Sequence, residues 1–453
     1  MSDLINVKNV ISELEKKLFT VLYSRNLEFS LVRLVFLKYA VDNYVGATSV
    51  ENMQKCARAQ KMFAMRDIDN GVETILTVLE YIDDAYGLSG VLSGNETISE
   101  YARELFGEDK NRQRKNVVST DFKGVMDILG SLDLEEKNAD NTLGKALVEA
   151  LIENIALNSN RNSFSGEYTT RNSLSKLASQ ILNVKSDDVF CDFASGVGLS
   201  TVEITKNAMP RIVNADLNNA SVAISVMLYI MYGYRNFEIF NDNCLAKTIE
   251  GLCGNKIFVD GPIASKLEKT QDNEYTDSSL SIIDKVLHAY LSDDEEAIAV
   301  ITLPSSPLFV TKKQVVALRE EMITNGMLKA VIALPPMWRG TAVGTNLLVI
   351  SRKKNSDILF VNAQDTEASG RARVADITGE ILLPQDKIEL IAKTVLNPET
   401  IVGFSRVVSN DEVRSKEYNL IPASYVEVYK EEDGVTLEEI DNQLAKLYSQ
   451  LLG

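Results

Sequence analysis

The spacing of apolar residues changes once along this chain. From the start to about Leu157 they recur at helical intervals, and Phe29–Tyr44 is apolar on most sides, which predicts a buried helix. A polar, turn-rich hinge follows at Ser163–Thr170. Beyond it, short β-prone runs alternate with helical stretches. Strands are predicted at Val189–Phe193, Arg211–Ala215, Phe237–Phe240, Ile257–Val259, Ala297–Leu303, Lys329–Leu334 and Asn346–Ser351, with an eighth at Ile358–Val361. Such alternation is the signature of an α/β doubly wound sheet. Ser265–Ser281 is polar and poor in apolar residues, so it reads as a mobile loop. Near the end, Thr436-Leu-Glu-Glu439 is a capping box, and Leu437, Ile440, Leu444, Leu447 and Leu451 follow at helical spacing. That seam serves a partner helix or folds back on its own domain; the pattern weighs the two equally. The predicted division is a helical N-terminal domain at 1–160, an α/β domain at 161–400, and a tail with a C-terminal helix at 401–453.

The first predicted strand ends in Asp192 and breaks into Phe193-Ala194-Ser-Gly196-Val-Gly198 before helix resumes at Leu199. Two glycines let a backbone approach a ligand closely, and a helix start offers free N–H groups. A tight turn between packed elements would use the same residues. A dinucleotide fingerprint would need a third glycine where Thr201 stands, and a P-loop would need Gly-Lys-Ser/Thr, which is missing. Asp216 follows the second strand, about 20 residues past the loop, where a carboxylate can accept ribose hydroxyls. Asp242 follows the third strand, and the fourth runs into Asp260-Gly261-Pro262-Ile263. One aspartate after a strand is ordinary turn chemistry. Four in succession point to a binding site at the carboxyl edge of the sheet.

Composition narrows the chemistry. The net charge of −17 repels nucleic acid if evenly spread, so any DNA contact needs a local basic patch or a partner chain. The run Lys110-Asn-Arg-Gln-Arg-Lys115 could meet phosphate, though a solvated loop is the better reading. His288 is the only histidine, which leaves histidine catalysis and histidine-rich metal sites almost nothing to work with; no metal is expected. Four cysteines without a C-x-x-C pair, no signal peptide and no membrane-spanning apolar run suggest a cytoplasmic protein with reduced thiols. Cys191 and Cys244 read as core filler. Trp338, the single tryptophan, reads first as a packing anchor and second as a stacking surface.

Taken in order, Gly166-Glu-Tyr168-Thr169-Thr170, Asp192 to Gly198, Asp216, Asp242 and Asp260 to Ile263 resemble the motif series of adenine-N6 DNA methyltransferases. Further segments resemble one branch, the M subunits of type I restriction–modification systems: Ile301-Thr-Leu-Pro-Ser-Ser-Pro-Leu-Phe309, Val331-Ile-Ala-Leu-Pro-Pro-Met-Trp338, Thr345-Asn-Leu-Leu-Val-Ile-Ser351, Gly403 to Ser409, Tyr418-Asn-Leu420 and Tyr425. The helical N-terminal region, with Phe36-Leu-Lys-Tyr39, fits as well.

The resemblance implies a Rossmann-like methyltransferase sheet and S-adenosylmethionine as cofactor. Asp192, Ala194, Gly196 and Gly198 would line its methionine and ribose side, Asp216 would hold the ribose hydroxyls, and Asp242 would sit near its adenine. Tyr168 and Thr169 would close the pocket. Asp260 and the Gly261 carbonyl would accept the two hydrogens of the target amine. The family carries proline in place of Gly261 and an aromatic residue in place of Ile263. Glycine loosens the segment, and isoleucine cannot stack on a flipped base, a contact worth roughly 1–3 kcal/mol.

Little follows Val361 beyond the family's tail, so no base reader is expected in the chain. Sequence recognition would come from a separate specificity subunit, beside a second M-type subunit and a restriction nuclease subunit. The alternatives are a catalytically silent, cofactor-binding scaffold in such a complex and, more remotely, a small-molecule methyltransferase or dehydrogenase.

Overall fold

The structure is a computed structural model that describes residues 2–22, 27–65, 71–94, 124–137, 139–159, 172–262, 265–337, 344–364, 374–375 and 381–426. The hinge Ser163–Thr170, the basic run Lys110–Lys115, the Trp338 loop and the seam helix Leu437–Leu451 lie outside the described residues.

The N-terminal region is helical: α1 (Ser2–Leu22), α2 (Leu27–Asp42), α3 (Val50–Met65), α4 (Gly71–Tyr86), a helical stretch at 124–131, and α5 (Thr142–Ser159). As expected for a helix apolar on most sides, α2 is buried from Leu31 to Val41. It packs on α8 (Asn219–Tyr232), which lies on one face of the sheet, so the helical region and that face share one core. Asn141 ties them together. It accepts the Tyr39 hydroxyl at 2.6 Å and donates to the Met231 carbonyl at 2.6 Å, at the end of α8. Gly144 meets the same carbonyl so closely that a Cβ there would lie 2.1 Å from it.

The α/β region opens with α6 (Asn172–Leu182), then β1 (Val189–Asp192), α7 (Leu199–Thr205), β2 (Arg211–Asp216), α8, β3 (Phe237–Asn241) and β4 (Lys256–Val259). It continues with α9 (Ser278–Lys285), one π-helical turn at Val286–Tyr290, β5 (Ile298–Pro304), α10 (Lys313–Thr324), β6 (Leu328–Leu334), β7 (Thr345–Ser351) and β8 (Asp357–Asn362). All eight predicted strands are present, each boundary within one residue of its expected place. A small hairpin of β9 (Val374–Ala375) and β10 (Ile381–Leu382), then α11 (Gln385–Leu396), β11 (Ser405–Ser409) and α12 (Asn410–Ser415) complete the described chain.

The main sheet runs β11-β8-β6-β7-β5-β4-β1-β2-β3. It is mixed rather than all parallel. β7 lies antiparallel between β5 and β6, and β11, which the sequence pattern did not single out, pairs antiparallel with β8. The tail then packs back: Leu420 N–H donates to the Leu308 carbonyl at 2.9 Å, and Tyr425 stacks on Phe360 with ring centroids 4.0 Å apart.

The segment 265–281 differs from the mobile loop expected of it. Leu267 N–H bonds the Thr276 carbonyl at 3.0 Å, and the side chain of buried Asn273 satisfies the backbone of Glu268 and Tyr275. From Ser278 the segment is already helix, capped by Asp277. Its buried Asn273, Ser278 and Ser281 bond the chain to itself, while most of its other polar residues are exposed. No helix among the described residues is long and apolar enough to cross a membrane.

Candidate functional site

The loop between β1 and α7 turns on two left-handed glycines, and each is there for its own reason. Gly196 has φ +52°, and a Cβ there would meet nothing within 4 Å, so its side faces open space. Gly198, at φ +80°, precedes α7, and a Cβ there would sit 2.6 Å from the Tyr229 hydroxyl. Here the constraint is close packing of the loop on α8.

Beneath the loop a buried polar network sets its path. Asn214 in β2 accepts the Asp192 N–H at 2.9 Å and donates to the Thr201 hydroxyl at 2.8 Å and the Tyr229 hydroxyl at 2.9 Å. Thr201, where a dinucleotide fingerprint would have glycine, is therefore wanted for its hydroxyl. Cys244, expected as core filler, is buried but also donates its thiol to the Phe193 carbonyl at 2.8 Å; burial pushes that thiol up to about 12.

The four aspartates stand on adjacent strands in the spatial order Asp260, Asp192, Asp216, Asp242, at the ends of β4, β1, β2 and β3. With neighbouring strands ~4.8 Å apart, the row spans roughly 15 Å. Gly196 N–H donates to Asp216 Oδ2 at 2.7 Å and Asn218 N–H to Asp216 Oδ1 at 2.8 Å. Asp242 N–H donates to the Asp216 carbonyl at 3.2 Å, linking the second and third strand ends. Lys247 pairs with the Asp242 carboxylate and, by that hydrogen bond, holds it below the usual carboxylate range. Asp192 is the opposite case. Burial raises its carboxyl well above the usual range, against the Ala194 N–H it accepts at 3.0 Å, and the charges of Asp216 and Asp260 add to the rise. The carboxyl groups of Asp192, Asp216 and Asp260 thus share the carboxyl edge of β1, β2 and β4, an arrangement that favours a cationic ligand.

Asp260 and Gly261 are half-buried, and Pro262 is exposed. Ile263, Tyr168 and Thr169 lie outside the described residues. The structure thus brings Asp192, Ala194, Gly196, Gly198, Asp216, Asp242, Asp260, Gly261 and Pro262 to one edge. Sequence reasoning missed Asn214, Tyr229, Cys244 and Ser278 as parts of this edge. For Asn214 a signal existed: an amide in the middle of an apolar strand has to bond to something. His288, the lone histidine, is not at this edge but bonds Asp284 at 2.9 Å and Glu321 at 2.8 Å. No group of three His, Cys, Asp or Glu residues that could hold a metal occurs among the described residues.

The family model for N-6 DNA methylases matches residues 138–434, more than half of the chain. The chain belongs to the N-6 DNA methylase family. The chain is similar to the type I restriction enzyme MjaVIII methylase subunit of Methanocaldococcus jannaschii, 26% identical over 322 residues, covering 63% of this chain and 54% of that protein. The MjaVII methylase subunit of the same organism is 29% identical over 166 residues, 34% of this chain and 28% of the relative. The chain thus spans about half the length, or less, of these curated relatives.

The fold agrees with this membership. A type I restriction–modification methyltransferase subunit from Streptococcus thermophilus superposes with TM-score 0.67 at 19% identity, covering 94% of this chain and all of the other. A chain from a structure concerned with complex assembly and conformational transition of the type I R–M system gives TM-score 0.66 at 13% identity over 98% of this chain and 96% of its own.

Proposed function

We propose that this chain is the methyltransferase subunit of a type I restriction–modification complex, moving a methyl group from S-adenosylmethionine to adenine N6 in DNA. The observation that carries the reading is the row of Asp260, Asp192, Asp216 and Asp242 on adjacent strand ends beside an open glycine loop. The residues fit the cofactor. Gly196 leaves room for a ligand at the loop, and the Asp216 carboxylate, oriented by the Gly196 and Asn218 N–H groups, accepts the ribose hydroxyls. Asp192 and Ala194 line the methionine side, Asp242 the adenine side, and Tyr168 and Thr169 close the pocket. Bound there, S-adenosylmethionine supplies an electrophilic methyl carried on a positive sulfur.

The chain's own part is to make a poor nucleophile attack. The lone pair of an exocyclic amine is delocalised into its ring. Asp260 accepts one amine hydrogen and the Gly261 carbonyl the other, which turns the lone pair toward the methyl group; Pro262 and Ile263 border the flipped base. A cationic ligand beside Asp192, Asp216 and Asp260 also relieves their mutual repulsion. With a net charge of −17, the chain depends on a basic partner to reach DNA. We assign that task to a specificity subunit met through the Leu437–Leu451 seam, in company with a second M-type subunit.

The test is transfer of a labelled methyl group to duplex DNA by the chain assembled with its specificity subunit. Wild-type complex labels adenine, and Asp260→Ala lowers the rate at least a hundredfold (about 10² for a misplaced acceptor). A complex that binds cofactor yet labels nothing is a scaffold, and the catalytic reading fails.

A further inference from the structure

Gly261 leaves the segment that presents Asp260 free to rotate about its backbone. A reactive carbonyl on such a segment needs an outside brace, since a displacement of about 1 Å costs on the order of 10²-fold in rate. The first turn of α9 supplies one. Ser278 Oγ donates to the Pro262 carbonyl at 2.7 Å and accepts the Ser265 N–H at 3.0 Å, while Ser278 N–H donates to the Ser265 carbonyl at 3.0 Å. A single hydroxyl therefore joins the two sides of residues 263–264. Ser278 itself is fully buried, at the inner side of exposed Pro262 and Ser265.

One helical turn further, Ile282 occupies the space that a side chain at position 261 would take. A Cβ on Gly261 would lie 2.4 Å from Ile282 Cδ1. Residues four apart share one face of a helix, so Ser278 and Ile282 form one template against the segment from Asp260 to Ser265. The template is itself anchored. Asp277 Oδ1 caps the helix by accepting the Ser279 N–H at 2.9 Å, and buried Lys285 holds the Thr248 hydroxyl at 2.8 Å and the Asp272 carbonyl at 2.7 Å.

We infer that Ser278, backed by Ile282, is a positioning residue that sets the Gly261 carbonyl and the Asp260 carboxylate for the acceptor amine. The inference rests on the adenine methyltransferase reading. Ser278 takes no part in the chemistry; it restores by hydrogen bonding the stiffness that glycine gives up.

The test uses the full chain for amide exchange and cofactor binding, and its complex with the specificity subunit for kinetics. In Ser278→Ala, exchange of the Ser265 amide rises about tenfold or more while the β1 and α7 amides keep their rates. Cofactor affinity stays within about twofold of wild type and kcat falls on the order of tenfold or more. Ile282→Val, which removes only the methyl against Gly261, lowers kcat in the same direction by a smaller factor and decides the matter if Ser278→Ala fails to fold. Unchanged Ser265 exchange, or unchanged kcat despite faster exchange, overturns the inference. A wild-type complex that transfers no methyl group defeats the underlying function instead, with Ser265 exchange still reporting whether the brace exists.

Discussion

Replace Gly198 with alanine, and two costs fall on one atom. The position has φ +80°, where an L side chain is strained by roughly 1–2 kcal/mol. The new Cβ would also sit 2.6 Å from the Tyr229 hydroxyl and 2.8 Å from its ring, in a core where overpacking costs roughly 1–3 kcal/mol. Tyr229 has little room to retreat, because it is fully buried and its hydroxyl bonds Asn214, which in turn holds the Asp192 N–H. The sum is roughly 2–5 kcal/mol, a large share of the ~5–15 kcal/mol that stabilises a native protein.

Gly196→Ala, two residues away, carries only the strain of φ +52°, about 1 kcal/mol, because no atom lies within 4 Å of its new methyl. That methyl instead enters the space assigned to the cofactor. Urea denaturation of the cofactor-free chain, with calorimetric titration of S-adenosylmethionine, separates the two. Gly198→Ala should lose roughly 2–5 kcal/mol of stability, whereas Gly196→Ala should lose only about 1 kcal/mol and bind cofactor at least about tenfold more weakly. Equal stability losses, or a Gly198→Ala chain within about 0.5 kcal/mol of wild type, would refute the packing argument.

Three other variants or conditions probe the same edge and its surroundings. Asp192 has its folded-state pKa raised by burial, so the native state favours its protonated form; the associated stability is present below the ordinary carboxylate pKa near 3.8 and is lost as pH rises through the folded value. Asp192→Asn should therefore raise the urea midpoint at pH 7 while weakening cofactor binding, and a lowered midpoint contradicts this. Burial lowers the pKa of His288, but its bonds to Glu321 and Asp284 outweigh that and leave it raised above 6.5. Its contribution is complete below about pH 6.5 and fades as pH rises through the folded value, so the melting temperatures of wild type and His288→Gln should differ more at pH 6 than at pH 9. Among the cysteines, Cys56, Cys191 and Cys244 are buried and Cys253 is half-buried. Alkylation of the native chain at pH 8, read by mass spectrometry, should mark Cys253 first, and early labelling of Cys244 counts against its bond to Phe193.

What could be read from the sequence followed from how each signal is carried. Short buried strands such as Val189–Asp192 and Ile298–Pro304 announce themselves as apolar runs, so the strands and the aspartates at their ends were legible. Strand direction was not, because β7 is buried on both faces whichever way it runs. The brace from α9 was hidden for a different reason. Ser278, Ser279 and Ser281 look like loop residues, and only the fold reveals that all three are buried, with Ser281 donating to the Leu245 carbonyl at 3.0 Å. The Asp277 cap was the available clue, since Asp followed by Ser-Ser-Leu-Ser is a helix start. Asn214 shows the same limit: its three partners come from three different elements, β1, α7 and α8, that only the fold brings around one side chain.

The central claim is that Asp260 serves methyl transfer to adenine in DNA. An adenine-methylation map of the source genome, compared between the intact gene and Asp260→Ala, tests it most directly. One sequence motif should carry methyl marks in the first strain and lose them in the second. Marks that persist in the variant, or that occur in neither strain, would contradict it.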